Sequence, residues 1–275
     1  MGHGGLRGLP GAAFAALLFC GAAEGRELPQ ALADYFPGHT ACALLLERDR
    51  HRELRIDYGG AACDEPLSPC STFKIPHALI GLQTGALDGA SHTRRWDGTV
   101  HARGELNQDH DLASAMQDSV VWYFQSLARE LGEATLQAWL ERLDYGNRDL
   151  SGGIDRFWLD SSLLISTRAQ LALVQDLWRS ALPFAADHQQ LVRELLAQDS
   201  ALPGELHGKT GSCPGDPDAG RPAHAWFIGW VDWDRRRERN PATSWFAVSI
   251  TGDEADGQRA RSMTLRLLAD SQPPE

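Results

Sequence analysis

The chain has 275 residues, of which 43% are hydrophobic and 23% are charged, an ordinary composition for a globular protein of one or two domains with a substantial core. Its formal net charge is −11. Since nucleic acids and anionic membrane surfaces repel so acidic a protein, the charge argues against both as partners.

Residues 1–23 have the pattern of a secretory signal peptide. An apolar stretch of ten residues, 11–20, follows a single arginine and is about half as long as a membrane-spanning helix must be. Small residues then offer a cleavage site. We expect export to the periplasm, cleavage after Ala23 and no membrane association afterwards. A lipoprotein site at Cys20 is the less favoured alternative.

The cysteine count supports an oxidising compartment, because an even number remains after cleavage. These residues are Cys42, Cys63, Cys70 and Cys213. The strand-like runs 41–47 and 53–58 predict a hairpin that places Cys42 opposite Cys63. A disulfide between these two is geometrically plausible, and a pair of buried free thiols is the alternative.

Ser71 and Lys74 lie three residues apart at the start of a predicted helix that ends at Gly85. A serine hydroxyl is a weak nucleophile until a base takes its proton, and Lys74 is placed to be that base. Ser-x-x-Lys alone is a weak signal, since it is expected about once by chance in such a chain. However, the chain has two lysines, and the second, Lys209, lies in a Lys-Thr-Gly motif. Unlike arginine, a buried lysine can give up its proton.

Beyond the first helix, the pattern predicts helices in the middle of the chain and strands towards its end. Helical periodicity covers 111–131, 136–143, 167–180 and 187–198. Aromatic and β-branched residues predict strands at 205–210, 223–233 and 244–251, followed by an amphipathic helix at 261–269.

Strands at both ends around a helical middle predict an α+β fold. The mature domain would span residues 24–275, with a sheet part at about 24–66 and 203–275 and a helical part at about 67–202. The helix of Ser71 would lie where the two parts meet, which is a common place for an active site.

Five motifs follow one another in this chain in an order and spacing that resemble the penicillin-recognising serine enzymes, and in detail the class D β-lactamases. They are Ser71-Thr72-Phe73-Lys74, Ser119-Val120-Val121, Tyr145-Gly146-Asn147, Phe157-Trp158-Leu159 and Lys209-Thr210-Gly211. The resemblance runs from about residue 41 to the C-terminus. It implies the fold of the serine β-lactamases and penicillin-binding transpeptidases, an antiparallel sheet flanked by helices with a helical domain.

The same resemblance implies a covalent cycle on a small-molecule β-lactam. Ser71 would form the acyl-enzyme, and Lys74, carbamylated by CO2, would be the general base for acylation and for activation of water. Carbamylation needs a neutral amine, which burial favours. Trp158 would donate its indole N–H to the carbamate. The apolar pocket around the lysine would comprise Phe73, Val121, Phe124, Trp158 and Leu159, although Phe73 and Leu159 could equally be ordinary core residues.

Other residues take their expected roles from the resemblance as well. Ser119 would relay a proton to the departing β-lactam nitrogen, unless it is simply a serine on a helix surface. Lys209 would supply a positive field beside Ser119. The remaining substrate-binding residues of that segment would be Thr210, Gly211 and Ser212. Backbone N–H groups of Ser71 and Ser212 would form the oxyanion hole. No metal or other cofactor is implied, because the histidines lack the spacing of zinc ligands.

The arginine that binds the substrate carboxylate in this family falls nearest Ala260 by register. Arg259 or Arg261 could take the role, and we favour Arg261; both could also be surface charges. Some class A carbapenem-hydrolysing relatives bridge two cysteines placed as Cys70 and Cys213 are, which implies a second disulfide here.

The leading interpretation is therefore a periplasmic class D serine β-lactamase that confers antibiotic resistance, acting as a monomer or a homodimer. A D,D-peptidase of the same fold is one alternative, since it would acylate but deacylate β-lactams slowly. A non-catalytic β-lactam sensor domain is the other.

Overall fold

The computed structural model describes residue 1 and residues 32–48, 53–216, 218, 220–233 and 243–271. The predicted signal peptide and Cys20 lie outside the described residues. In the part of the chain that is described, no helix is both long enough and apolar enough to cross a membrane.

A six-stranded antiparallel sheet with the order β2-β1-β6-β5-β4-β3 organises the fold. Its strands are β1 (Thr40–Arg48), β2 (Glu53–Tyr58), β3 (Ala197–Gln198), β4 (Gly204–Cys213), β5 (His224–Trp233) and β6 (Thr243–Thr251). Nearly every residue of β5 and β6 is buried, as their continuous apolar sequences predict for strands covered on both faces.

The described part of the chain contains six α-helices. They are α1 (Lys74–Thr84), α2 (Leu112–Gln117), α3 (Val121–Arg142), α4 (Thr167–Trp178), α5 (Ala186–Leu195) and α6 (Gly257–Ser271). Helices α4 and α6 pack on the sheet, whereas α1 packs against α3 and α5. Short 3-10 turns precede or connect these elements at Leu32–Tyr35, Gly60–Asp64, Cys70–Phe73 and Gly104–Leu106. The prediction of an α+β fold is confirmed.

The helix predicted over 111–131 is wrong in one respect, because it is two helices. Asp111 caps α2 by accepting a 2.8 Å hydrogen bond from the backbone N–H of Ser114. The chain then turns at Ser119, whose φ of 57° lies in the left-handed region, before α3 begins. The periodicity hides this break, since Met116, Val120 and Phe124 are buried at a constant spacing across it.

Other predicted boundaries also change for identifiable reasons. The segment 136–143 continues α3 beyond a kink at Gly132, where φ is 75°. Strand β4 extends three residues further than predicted because β5 pairs with it along its whole length. The helix predicted over 187–198 ends at Leu195, since residues 197–198 pair with β4 as β3. Helix α6 starts four residues earlier than predicted, at Gly257.

Both predicted disulfides are present. The bond between Cys42 and Cys63 ties β1 to the turn after β2, with a Cα–Cα distance of 5.3 Å. Gly59 makes this approach possible, because its φ is +113° and a Cβ there would lie 3.1 Å from the sulfur of Cys63. The bond between Cys70 and Cys213 joins the turn before α1 to the end of β4.

Candidate active site

Ser71 and Lys74 lie where the 3-10 turn Cys70–Phe73 passes into α1. Because they stand at positions i and i+3 of one helical face, the two side chains meet, and Lys74 Nζ donates a 2.6 Å hydrogen bond to Ser71 Oγ. Lys74 is fully buried, whereas Ser71 is partly exposed. Ser71 is thus partly accessible to solvent, while its hydroxyl contacts a buried amine.

The surroundings of Lys74 disfavour its charged form. Burial is the largest cause of a pKa well below the ordinary lysine value, and the positive charges of Lys209 and Arg103 lower it further. The Nζ atom lies 5.6 Å from the centre of the Phe124 ring. The pocket thus favours a neutral amine beside the Ser71 hydroxyl.

The predicted apolar pocket is present in part. Phe73, Phe124 and Trp158 are completely buried, and the rings of Phe73 and Trp158 lie 6.0 Å apart. Leu159 packs on the core from a partly exposed position, and Val121 is partly exposed at the start of α3.

Two further buried rings belong to this pocket, although the residues expected to form it did not include them. Phe157 lies 5.3 Å from Phe73 and 4.9 Å from Trp158. His77 contacts the same two rings at 4.4 and 4.6 Å. For His77 the sequence did hold a signal, since it is three residues after Lys74 and so shares its helical face.

Trp158 is fixed by its backbone, while its indole nitrogen has no partner. Its carbonyl oxygen accepts a 3.0 Å hydrogen bond from Ser68 Oγ. The carbonyl oxygen of Ser68 in turn accepts from Trp226 Nε1 at 2.8 Å and lies 2.9 Å from His224 Nε2. Ser68 thereby connects the nucleophile segment with the sheet and with the Trp158 loop. Trp158 Nε1 is buried without a hydrogen-bond partner among the described residues.

A second serine–lysine pair lies across the site. Lys209 on β4 donates a 3.0 Å hydrogen bond to Ser119 Oγ in the turn between α2 and α3. Burial lowers the pKa of Lys209 to about 8, and the charge of Arg103 contributes. Ser119 therefore lies in a turn and contacts Lys209, rather than standing on a helix surface.

Strand β4 packs directly against the nucleophile turn. A Cβ on Gly211 would lie 3.0 Å from the carbonyl oxygen of Pro69, so a side chain at this position would be tightly crowded. The Cys70–Cys213 disulfide joins the same two segments. The backbones that carry Ser71 and Ser212 are therefore held side by side, as an oxyanion hole requires.

The two candidate arginines occupy different surroundings. Arg261 borders the same cavity of about 760 Å³ as Lys209 and Thr210, and its guanidinium donates to Gln198 Oε1 at 2.9 Å. The same guanidinium donates to the backbone carbonyl oxygen of Asp199 at 2.6 Å. Arg259 instead pairs with the carboxylates of Glu254 and Asp256, at 2.9 and 3.8 Å. Position 260, the nearest by register, is a buried alanine.

One group of potential metal ligands lies beside the nucleophile segment. One cluster in the described part of the chain, Cys70, Cys213 and His224, brings three potential ligand atoms within 4.8 Å of one another. Two of these atoms are the sulfurs of a disulfide, which is not a thiolate ligand.

Comparison with known proteins gives consistent matches. Residues 42–260 match the family model of the penicillin-binding protein transpeptidase domain. A probable β-lactamase, YbxI of Bacillus subtilis, is 35% identical over 220 residues, which cover 80% of this chain and 77% of the relative. β-Lactamase OXA-2 of Salmonella typhimurium is 40% identical over 205 residues, covering 74% and 70% of the two chains.

Solved structures agree with these matches. The class D β-lactamase BAT-2 is similar to this chain with a TM-score of 0.76 at 35% identity, covering 86% of this chain and 94% of its own. A crystal structure of a class D β-lactamase from Bacillus subtilis gives the same TM-score and coverage at 33% identity.

Proposed function

Because the chain belongs to the class D β-lactamase family, it hydrolyses the β-lactam amide bond, and we propose that Ser71 carries the acyl group while Lys74 is the general base. The observation that carries this proposal is the fully buried lysine bonded to Ser71 Oγ at 2.6 Å. Hydrolysis of penicillin-type antibiotics by this site would confer resistance on the cell that produces the protein.

Acylation begins with attack of Ser71 Oγ on the β-lactam carbonyl. The hydroxyl proton moves towards the Lys74 side chain, which is its nearest polar neighbour in the structure. The negative charge that develops on the carbonyl oxygen is held by the backbone N–H groups of Ser71 and Ser212.

A carbamate on Lys74 fits the residues around it. Its formation needs a neutral amine, which the burial of Lys74 favours. An anion there also needs hydrogen-bond donors, and Trp158 Nε1 is a buried donor without a partner among the described residues. The group would supply an oxygen base at the end of Lys74 for both halves of the cycle.

Opening of the ring requires a proton on the departing nitrogen. Ser119 Oγ is proposed as the donor, and Lys209 Nζ, 3.0 Å away, supports it with a positive field. The substrate carboxylate binds beside Lys209, with a hydrogen bond from Thr210, while Gly211 and Ser212 line the same strand edge. Arg261 completes this subsite in preference to Arg259, since it borders the cavity.

We also propose that the protein works outside the cytoplasm. The two disulfides are of the kind that oxidising compartments maintain. Residues 1–23 would direct export and be removed. N-terminal sequencing of the secreted protein should begin at residue 24, and an intact Met1 would contradict this part of the proposal.

Turnover of nitrocefin tests the reaction class. A β-lactamase gives many turnovers per enzyme, whereas a D,D-peptidase or a sensor gives one stoichiometric burst.

Removing CO2 from the buffer should lower the rate of hydrolysis, and added bicarbonate should restore it. In Trp158→Phe, which keeps an aromatic ring but loses the N–H donor, restoration should require more bicarbonate. An unchanged bicarbonate requirement in that variant would count against the carbamate.

A further inference from the structure

His77 is a buried polar side chain without a partner. It lies on α1 three residues after Lys74 and is completely buried. Neither Nδ1 nor Nε2 has a hydrogen-bond partner among the described residues. Buried polar atoms are nearly always paired, so two unpaired nitrogens on one ring call for a specific explanation.

The position of the ring directs that explanation towards Lys74. The imidazole lies roughly parallel to the Phe124 ring, 5.9 Å from it and inclined by 21°. Lys74 Nζ lies 5.6 Å from the centre of the same Phe124 ring. The imidazole also meets Trp158 edge to face, with centres 4.6 Å apart. His77 therefore borders the pocket that holds the amine and the unpaired indole N–H.

The chemistry of a buried neutral imidazole limits what His77 can do there. Its pKa is lowered to about 3, mainly by burial and in smaller part by the positive charge of Lys74. The ring is consequently neutral across the working pH range, with one N–H donor and one acceptor nitrogen. It is unsuited to be a general base, but it can donate a hydrogen bond to an anion.

We propose that His77 is a positioning residue for the carbamate of Lys74. Its N–H and the N–H of Trp158 each donate to one carboxyl oxygen, so that both oxygens of the anion have a protein partner inside the apolar pocket. This inference rests on the proposed function, because it presupposes that Lys74 reacts with CO2. The alternative is a histidine that only fills space among aromatic rings.

The test is ¹³C NMR of the full enzyme titrated with ¹³C-labelled bicarbonate, which measures carbamate formation independently of turnover. His77→Phe keeps an aromatic ring at this position and removes both nitrogens. We expect it to raise the half-saturating bicarbonate concentration roughly tenfold or more, the effect of losing a hydrogen bond to a charged group. His77→Asn or His77→Gln, which retain an N–H, should need less bicarbonate than His77→Phe.

A matched control removes a polar atom elsewhere in the same aromatic cluster. The ring of Tyr145 lies 5.2 Å from that of Phe73, and its buried hydroxyl has no hydrogen-bond partner among the described residues. Tyr145→Phe should keep the bicarbonate dependence of the unmodified enzyme. Thermal unfolding of each variant confirms that the protein is folded, and kcat at saturating bicarbonate should largely recover in His77→Phe.

Three results would overturn the inference. If the half-saturating bicarbonate concentration of His77→Phe equals that of the unmodified enzyme, the proposed role of His77 is rejected while the proposed function stands. Amide variants that bind CO2 no better than His77→Phe reject it as well. If the unmodified enzyme gives no carbamate signal at any bicarbonate concentration, the proposed base is wrong, and the inference fails with it.

Discussion

The site contains two serine–lysine pairs of similar geometry and different surroundings. Lys74 lies 2.6 Å from Ser71, and Lys209 lies 3.0 Å from Ser119. The first pair belongs to one continuous turn of chain, whereas 90 residues separate the members of the second. Lys74 is enclosed by aromatic rings, while Lys209 borders a cavity of about 760 Å³.

The two pairs differ in the charge state that the surroundings of each lysine favour. Burial favours the neutral form of Lys74, which can take up CO2 or a proton. The pKa of Lys209 is lowered only to about 8, so this lysine remains mostly cationic at neutral pH. Both lysines are buried, but the pKa of Lys74 is lowered further than that of Lys209, in part by the positive charge of Lys209. In the proposed mechanism, Lys74 is the base and Lys209 supplies a positive field.

Loss of the first pair should have the largest effect on activity. Lys74→Ala should lower kcat/KM for nitrocefin by roughly 10³-fold or more, as expected for removal of a general base. Lys74→Arg is the matched control, because arginine keeps a positive charge but cannot give up its proton. Substantial hydrolysis by Lys74→Arg would show that the pair works through charge alone and would contradict the comparison.

Loss of the second pair should have a smaller effect. Lys209→Ala should lower kcat/KM by roughly 10²-fold, the scale for losing one electrostatic contact to the reacting groups. Because Lys209 and Ser119 are hydrogen-bonded, Ser119→Ala should lower kcat/KM less in the Lys209→Ala variant than it does in the unmodified enzyme. Steady-state kinetics of the two single variants and the double variant measure this coupling. Strictly additive losses would mean that the two residues act separately.

The Cys70–Cys213 disulfide connects the segments that carry the two pairs, and it closes a longer loop than the Cys42–Cys63 bond. The sequence separations are 143 and 21 residues. In the chain-entropy account, the two bonds contribute about 5 and about 3 kcal/mol to the free energy of unfolding. Urea unfolding of Cys70→Ala/Cys213→Ala should therefore show a loss about 2 kcal/mol larger than Cys42→Ala/Cys63→Ala. Equal losses would contradict this account.

The smallest expected effect is a change in pH dependence. Lys209 is cationic below its pKa of about 8 and loses its charge above it, so binding of the substrate carboxylate should weaken as pH rises. KM should accordingly increase severalfold between neutral pH and about one unit above that pKa. Lys209→Arg stays charged and should remove this increase. If KM in Lys209→Arg rises with pH as in the unmodified enzyme, another group is responsible.

The same contrast explains how much of the site the sequence predicted. The Ser71–Lys74 contact is local, so the spacing of three residues on a helix was sufficient to expect it. The meeting of Ser119 with Lys209 depends on tertiary structure, and only the resemblance to a family indicated it. The turn at Ser119 was hidden because the apolar periodicity of α2 continues into α3.

The remaining parts of the site were not predicted because they depend on packing between distant segments. Ser68 contacts Trp158 in a loop and both His224 and Trp226 on β5, all of them far from it in the sequence. The length of β4 follows from its pairing with β5 rather than from its own composition. The sheet itself was predictable, since its apolar strands differ clearly from the amphipathic helices between them.

A crystal structure of the enzyme grown at alkaline pH in the presence of bicarbonate tests the central claim most directly. The account predicts a carboxyl group attached to Lys74 Nζ, with one oxygen within hydrogen-bonding distance of Trp158 Nε1. An unmodified Lys74 that is open to solvent under those conditions would contradict it.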